Sequence, residues 1–163
     1  MMERAVVFMK LYLVQHAAAK RKEEDPSRPL SEQGRREIVK VAEYSAKYLD
    51  IHVKQILHSS KLRAKQTAQV LAEHLQPTEG VVLAEYLEPL ADPKSWQRRL
   101  AQANEDTMIV GHLPHLSKLT GALLAGDEAK EVVAFRMGGI VCLERNETSQ
   151  WVLKWLITPE IVP

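Results

Sequence analysis

The sequence predicts an α/β fold, a three-layer α/β/α arrangement in which helices cover both faces of a mostly parallel central sheet. Short apolar runs alternate along the chain with longer amphipathic segments, which is the pattern of strand–helix units. Two further apolar runs, 140–143 and 151–157, flank the polar segment 145–149 and predict a terminal β-hairpin. A chain of 163 residues with 45% apolar side chains can bury the core that this fold needs.

Each element is predicted from its own local signals. The run 10–14 is short and apolar, as expected of a buried strand, and the polar, Pro-containing segment after it predicts a loop. Ser31 is a candidate N-cap for the first helix, and Ser59-Ser60 for the second. Pro77 ends the second helix and Pro114 starts the fourth. The predicted strands are 10–14, 53–58, 80–83, 107–110, 140–143 and 151–157, and the predicted helices are 31–49, 59–75, 95–103 and 114–124.

Trp151 and Trp155 lie four positions apart in the last predicted strand. Side chains alternate between the two faces of a strand, so residues at even spacing are on the same side. We therefore expect the two indole rings to pack on one face of the sheet.

Charge and cysteine content exclude several functional classes. The 22 Lys and Arg residues against 21 Asp and Glu leave a net charge of +1, so no bulk charge attracts the chain to nucleic acid or to a membrane. Cys142 is the single cysteine, which excludes an internal disulfide and a cysteine-rich zinc site. Lys10 interrupts the N-terminal apolar run that a signal peptide would need. We expect a cytoplasmic protein, with residues 1–8 as an extension and 9–163 as a single domain.

The residues with catalytic potential follow the predicted strands. His16 follows the first strand, Ser59 and Arg63 the second, and His112 the fourth. The carboxyl ends of parallel strands meet at one edge of the sheet, where ligands bind and where helix N-termini present free N–H groups to anions. An imidazole can attack phosphorus and an arginine can hold phosphate oxygens with two hydrogen bonds. This placement predicts a phosphate-handling site.

Four motifs, in the same order, resemble those of the histidine phosphatase superfamily, which includes the phosphoglycerate mutases. Leu13-Val14-Gln15-His16-Ala17 is similar to the family's Arg-His-Gly signature, and Arg28-Pro29-Leu30-Ser31 with Gly34 is similar to its Arg-x-Leu-Thr-x-x-Gly stretch. The segment HSSKLRAKQTA at 58–68 resembles Ser-x-x-x-Arg-Ala-x-x-Thr-Ala, and VGHLPHL at 110–116 resembles Gly-His-x-Pro. The resemblance spans nearly the whole chain and implies a phosphoglycerate mutase-like fold.

The spacing narrows the resemblance to one branch. Only 112 − 63 = 49 positions separate Arg63 from His112, too few for the large insertion typical of mutases. Compact size and Asp25-x-x-Arg28 are similar to the phosphohistidine phosphatase (SixA-type) branch. That branch implies an enzyme that removes phosphate from a histidine-phosphorylated signalling protein, with no metal ion and no cofactor.

The resemblance also implies roles for individual residues. His16 matches the nucleophile that becomes phosphorylated, and Arg63 and His112 match residues that clamp the phosphoryl oxygens. Such a site would also hold free phosphate or sulfate. We also expect Gln15, Arg28 and Ser59 to bind phosphate, and the resemblance implies that Asp25 orients Arg28.

The first motif departs from the family pattern at three positions. Gln15 replaces an arginine, which keeps hydrogen-bond donors and loses a positive charge. Ala17 replaces a glycine and would be strained if that position needs a positive φ. Ala18 stands where an acidic residue is common. We therefore expect slow turnover.

Two questions stay open at the level of sequence. Glu85 and Glu88, after the third strand, are candidates for a general acid because mutase relatives carry theirs in this region. The alternatives to a phosphohistidine phosphatase are a small-metabolite phosphatase of the same fold and a non-catalytic module that binds phosphate or phosphoproteins. The departures at Gln15 and Ala17 support the binding module, whereas a short, open site favours a protein substrate.

Overall fold

A computed structural model describes residues 8–163, so all of the predicted extension 1–8 except Phe8 lies outside the described residues. Within this range the chain forms six strands and four helices that alternate as predicted. The strands are β1 Met9–Gln15, β2 Ile56–His58, β3 Val81–Leu83, β4 Thr107–Gly111, β5 Ile140–Arg145 and β6 Trp151–Ile157. The helices are α1 Glu32–Tyr48, α2 Leu62–Leu75, α3 Pro93–Gln102 and α4 His115–Ala125.

All six strands form one sheet in the order β3-β2-β4-β1-β5-β6. The strands β1 to β4 are parallel to one another, and β5 is antiparallel to both of its neighbours, β1 and β6. The carboxyl ends of β1, β2 and β4 therefore lie side by side at the same edge of the sheet. The predicted fold class, with its terminal hairpin, is confirmed.

Two apolar layers hold the helices against the sheet. One face packs against α1 and α2 through buried residues such as Ile38, Val41 and Leu71. The other face packs against α3 and α4 through Trp96, Leu100 and Leu116. The loops that follow β1 and β2 thus lead to one side of the sheet, and the loops that follow β3 and β4 lead to the other. No helix in residues 8–163 is long and apolar enough to cross a membrane.

The helix caps agree with the predictions in one case and differ in another. Ser31 caps α1, since its hydroxyl accepts a hydrogen bond from the N–H of Gly34 at 3.0 Å. In α2 the cap position belongs to Lys61, which makes no side-chain capping bond, so the predicted capping role of Ser59-Ser60 is wrong. The physical reason is that the Ser59 hydroxyl has a tertiary partner, as described below.

The prediction that Trp151 and Trp155 share a face is wrong as well. The register between β5 and β6 shifts at Cys142/Leu143, so Trp155 pairs with Cys142 while Leu153 pairs with Leu143. This β-bulge adds one residue and reverses the alternation of side chains beyond it. Trp151 packs against the layer of α3 and α4, and Trp155 packs against the layer of α1 and α2.

Candidate active site

His16 lies directly after β1 and is 8% exposed. Its Nδ1 lies 2.7 Å from the carbonyl oxygen of Ala17. A carbonyl only accepts, so Nδ1 carries the proton in the neutral ring and the lone pair is on Nε2. Burial lowers the pKa of His16 to about 4, a hydrogen bond to Ala17 opposes this shift, and the charges of Arg63 and Arg28 add to it. His16 is therefore neutral at pH 7, as a nucleophile must be.

His112 faces His16 from the carboxyl end of β4. The centroids of the two imidazole rings are 5.0 Å apart, and His112 is 2% exposed. Its Nε2 lies 2.6 Å from the hydroxyl of Ser59, which is fully buried and also accepts from the N–H of Lys61. Burial, followed by repulsion from His16 and Arg63, lowers the pKa of His112 to about 3. The ring is neutral at pH 7, and its buried Nδ1 has no hydrogen-bond partner among the described residues.

Arg63 is the second residue of α2, close enough to both histidines for its charge to lower their pKa values. Its Nε is buried and has no partner among the described residues. Burial and the neighbouring charge of Arg28 lower the pKa of Arg63 from its usual high value, and the guanidinium stays charged. The structure thus brings His16, Arg63 and His112 together, with two buried polar atoms of the set unpaired.

Thr67 connects the loop of His16 to the helix of Arg63. Its fully buried hydroxyl accepts from the N–H of Ala17 at 3.0 Å and donates to the carbonyl of Arg63 at 2.7 Å. Both bonds fix the backbone beside a catalytic candidate. Thr67 is not among the site residues predicted from the sequence, although its hydroxyl, one turn after Arg63 on the buried face of α2, is a signal that could have identified it.

Arg28 reaches the same site from the β1–α1 loop, where its charge acts on both His16 and Arg63. Its Nε donates to the carbonyl of Lys20 at 3.1 Å. The carboxylate of Asp25 instead accepts from the N–H and hydroxyl of Ser27, so the expected orientation of Arg28 by Asp25 is not observed. Asp25 is bound to Arg28 only through its main-chain carbonyl, at 2.9 Å, because the tight turn directs its side chain to Ser27.

The substituted positions of the first motif are accommodated without strain. Ala17 is fully buried and is not among the residues with positive φ, so the strain anticipated for it is absent. Gln15 is half-buried at the end of β1, where its carbonyl accepts from the N–H of Gly138 at 2.9 Å. The loop packs closely on Gly34, where a Cβ would lie 2.0 Å from the carbonyl oxygen of Ala18. A glycine is therefore required at position 34.

The two candidate acids differ in position. Glu85 is exposed, and its main-chain carbonyl accepts from the indole of Trp96. Glu88 is partly buried and accepts from the hydroxyl of Ser60, the residue after Ser59, at 3.0 Å. Partial burial acts to raise the pKa of Glu88, but hydrogen bonds from its own N–H and from Ser60 outweigh it, so the pKa is lowered. The carboxylate is ionised at pH 7, which disfavours it as a proton donor.

His115 is fully buried at the start of α4, three residues after His112, and both of its ring nitrogens lack a partner among the described residues. Burial lowers its pKa to about 4, against the opposing influence of Glu88 and Asp92. No three His, Cys, Asp or Glu side chains in residues 8–163 are grouped closely enough to hold a metal ion.

A family model described as histidine phosphatase superfamily (branch 1) matches residues 11–89. The matched segment contains His16, Arg28, Arg63 and the loop of Glu85 and Glu88, and it ends before His112. The resemblance to the histidine phosphatase superfamily is confirmed. A sequence comparison with curated proteins gave no significant match.

Solved structures show that the similarity of fold continues beyond the matched segment. The protein histidine phosphatase SixA complexed with tungstate is 21% identical, with a TM-score of 0.83 over 95% of this chain and 100% of that one. A protein of Agrobacterium tumefaciens provisionally assigned as phosphohistidine phosphatase SixA is 22% identical, with a TM-score of 0.72 over 93% and 98%. The alpha-ribazole phosphatase of Shigella flexneri is 15% identical, with a TM-score of 0.74 over 93% and 97%. At these identities the likeness establishes the fold.

Proposed function

We propose that this protein is a phosphohistidine phosphatase that acts through a phospho-His16 intermediate. The observation that carries the proposal is the state of His16, whose Nδ1 is bound to the Ala17 carbonyl and whose Nε2 is left as a neutral nucleophile beside two arginines. The similar SixA structure is complexed with tungstate, a tetrahedral oxyanion like phosphate, which supports anion binding by this fold.

The reaction has two balanced steps. Nε2 of His16 attacks phosphorus, the bond between phosphorus and the substrate imidazole breaks, and that imidazole leaves neutral when its other nitrogen carries a proton. Water then attacks phospho-His16, which releases inorganic phosphate and restores the neutral ring. Because the leaving imidazole needs no dedicated donor, the ionised Glu88 is compatible with turnover.

The remaining residues of the site stabilise the charge of the phosphoryl group. Arg63 and Arg28 supply positive charge to the phosphoryl oxygens, and the unpaired Arg63 Nε and His112 Nδ1 are buried polar atoms that a bound phosphoryl group can satisfy. Ser59 holds His112 in its orientation through the 2.6 Å contact. Phosphoryl transfer requires mainly positioning and charge stabilisation, so this set suffices without a cofactor.

The test is mass spectrometry of the protein during incubation with a phosphohistidine protein and, separately, with phosphoramidate. We expect a transient phosphate adduct on His16 and release of phosphate. His16→Asn should abolish the adduct and reduce turnover at least about 10³-fold, whereas the exposed control His52→Asn should change neither. Activity should also fall as the pH is lowered through about 4, where His16 takes up a proton.

Two other results of this test would indicate a binding module or a metabolite phosphatase. Binding of the phosphoprotein without an adduct or phosphate release indicates the binding module, for which Gln15 in place of arginine is the supporting observation. Turnover of small phosphate monoesters in preference to phosphohistidine indicates a metabolite phosphatase, a class represented among similar folds by the alpha-ribazole phosphatase.

A further inference from the structure

The two sides of the candidate site differ in chemistry. The loops that follow β1 and β2, on the side of α1 and α2, carry Lys20, Arg28 and Lys61, which we call the basic rim. The loops that follow β3 and β4, on the side of α3 and α4, carry the exposed side chains of Tyr86, Leu90 and Leu113, which we call the apolar rim. The two catalytic histidines lie between the rims.

The basic rim has more positive charge than the transferred group requires. Arg28 lowers the pKa of His16 and Lys61 lowers the pKa of His112 by charge repulsion, so both cations lie close to the reacting centre. The backbone of Lys20 is tied to that of Pro29 and to the guanidinium of Arg28, and Asp25 offsets part of its charge. None of the three cations belongs to an ion pair within residues 8–163. Arg28, Lys61 and Arg63, the three cations whose charges act on the two histidines, exceed the roughly two negative charges of a phosphoryl group.

The apolar rim is unusually exposed for its residue types. Leu90 is 89% exposed, Tyr86 is 53% and Leu113 is 39%. Single exposed apolar residues are common, but these three lie on two neighbouring loops at the edge of the sheet that holds the site. A small phosphorylated metabolite bound between His16 and His112 would not need them, whereas a protein surface would bury them. The carboxylates of Glu85 and Glu88 on this side repel an acidic group.

We propose that the substrate is a protein surface on which the phosphohistidine has acidic residues on one side, facing the basic rim, and apolar residues on the other, facing the apolar rim. This inference rests on the proposed function. The asymmetry of the rims orients the partner, because an acidic flank turned toward Glu85 and Glu88 would meet like charge. Such complementarity acts mainly on association rate and on the choice of partner.

The test uses two helical peptides, each phosphorylated by phosphoramidate at its only histidine. One peptide carries Glu on one flank and Leu on the other, and the second carries Gln and Ser at those positions. We expect kcat/KM to be at least about tenfold higher for the Glu/Leu peptide at low salt, and the preference to shrink as salt screens the charges. Hydrolysis of phosphoramidate itself reports the chemistry without docking.

Two rim variants have matched controls at the far end of α1. Lys20→Glu and Leu90→Asp should each lower kcat/KM for the Glu/Leu peptide about fivefold to tenfold, while turnover of phosphoramidate stays within about twofold. Lys47→Glu and Tyr48→Asp make the same chemical changes away from the site, and Tyr48 is 62% exposed. These controls should leave both activities unchanged.

The outcomes separate this inference from the proposed function. Equal kcat/KM for the two peptides, or equal effects of the rim variants and the controls, overturns the docking surface while phosphoramidate turnover continues. Absence of turnover on every substrate, with no phospho-His16, overturns the proposed function instead.

Discussion

Arginine side chains at the two opposite edges of the sheet are used in different ways. At the edge away from the site, Arg145 of β5 donates to the carbonyls of Leu100 and Ala103 at 2.7 Å each and to that of Ala101 at 3.1 Å, and so satisfies the end of α3. At the site, Nε of Arg63 and Nδ1 of His112 are buried and have no hydrogen-bond partner within residues 8–163. Hydrogen bonds use the donors at one edge, whereas at the other edge these two buried atoms would be free to bind the phosphoryl group of the proposed reaction.

This contrast predicts that Arg63 and Arg145 affect different measurements. Unpaired buried donors are costly in the folded protein without ligand, so a site that retains them is less stable than its packing allows. The paired donors of Arg145 instead stabilise the folded protein, and they lie too far from the site to take part in the reaction. Turnover and unfolding measured on the same variants can therefore show whether Arg63 serves activity and Arg145 serves stability.

The largest effect is expected at Arg63. Arg63→Ala removes a cation from the candidate site, and we expect kcat/KM to fall roughly 10²- to 10³-fold, the range for loss of one preorganised donor. Urea unfolding should give a free energy within about 1 kcal/mol of the wild type, because no hydrogen bond from the Arg63 side chain is lost. Arg63→Lys should recover only part of the activity, since it restores the charge without the planar fork. If Arg63→Ala lowered the free energy of unfolding by as much as it raised the activation free energy, the division of roles between Arg63 and Arg145 would be contradicted.

Arg145→Ala should give the reverse result. Three carbonyls at the end of α3 lose a charged donor, and we expect the free energy of unfolding to fall by about 2–3 kcal/mol. Activity per folded molecule should remain unchanged at a temperature well below the unfolding transition. Arg98→Ala, on the surface of α3, is the matched control and should cost less than about 0.5 kcal/mol. Reduced turnover of folded Arg145→Ala would show that the two edges are coupled.

Gln15→Arg adds a cation where the site has only a dipole. We expect kcat/KM toward phosphohistidine to rise, by roughly 5- to 150-fold if the new side chain makes one charge-assisted hydrogen bond worth about 1–3 kcal/mol. The companion variant Arg28→Ala should lower activity in the wild type, and less in the presence of Gln15→Arg. An unchanged rate in Gln15→Arg, in a protein that forms no phospho-His16, would favour the binding module.

The smallest effect concerns pH and the buried His115. Its pKa in the folded protein is about 4, below the ordinary value of 6.5, so the unfolded chain takes up the proton first as the pH falls. The contribution of neutral His115 to the free energy of unfolding is therefore complete above pH 6.5 and is lost as the pH falls from 6.5 to about 4. The lowered pKa values of His16 and His112 act in the same direction. His115→Leu should reduce the slope of unfolding free energy against pH in this window. The same slope in His115→Leu and in the exposed control His52→Gln would contradict this.

Local pattern was sufficient to predict a large part of the site. Strand and helix types follow from periodicity, and because parallel strands end at one edge of the sheet, chain order alone places His16, Arg63 and His112 together. The cap at Ser31 was likewise predicted, because a capping hydroxyl and its N–H partner are only three positions apart.

Contacts between distant parts of the chain were decided by the tertiary structure. The Ser59 hydroxyl contacts His112, 53 positions away, as well as the N–H of Lys61, and the guanidinium of Arg28 is held by the carbonyl of Lys20 and not by the carboxylate of Asp25. A single extra residue in β6 places Trp151 and Trp155 on opposite faces of the sheet. Sequence determined the elements and their order, since these depend on local periodicity. Side-chain partners depend on register and packing between segments that local periodicity does not encode, and only the folded chain decides them.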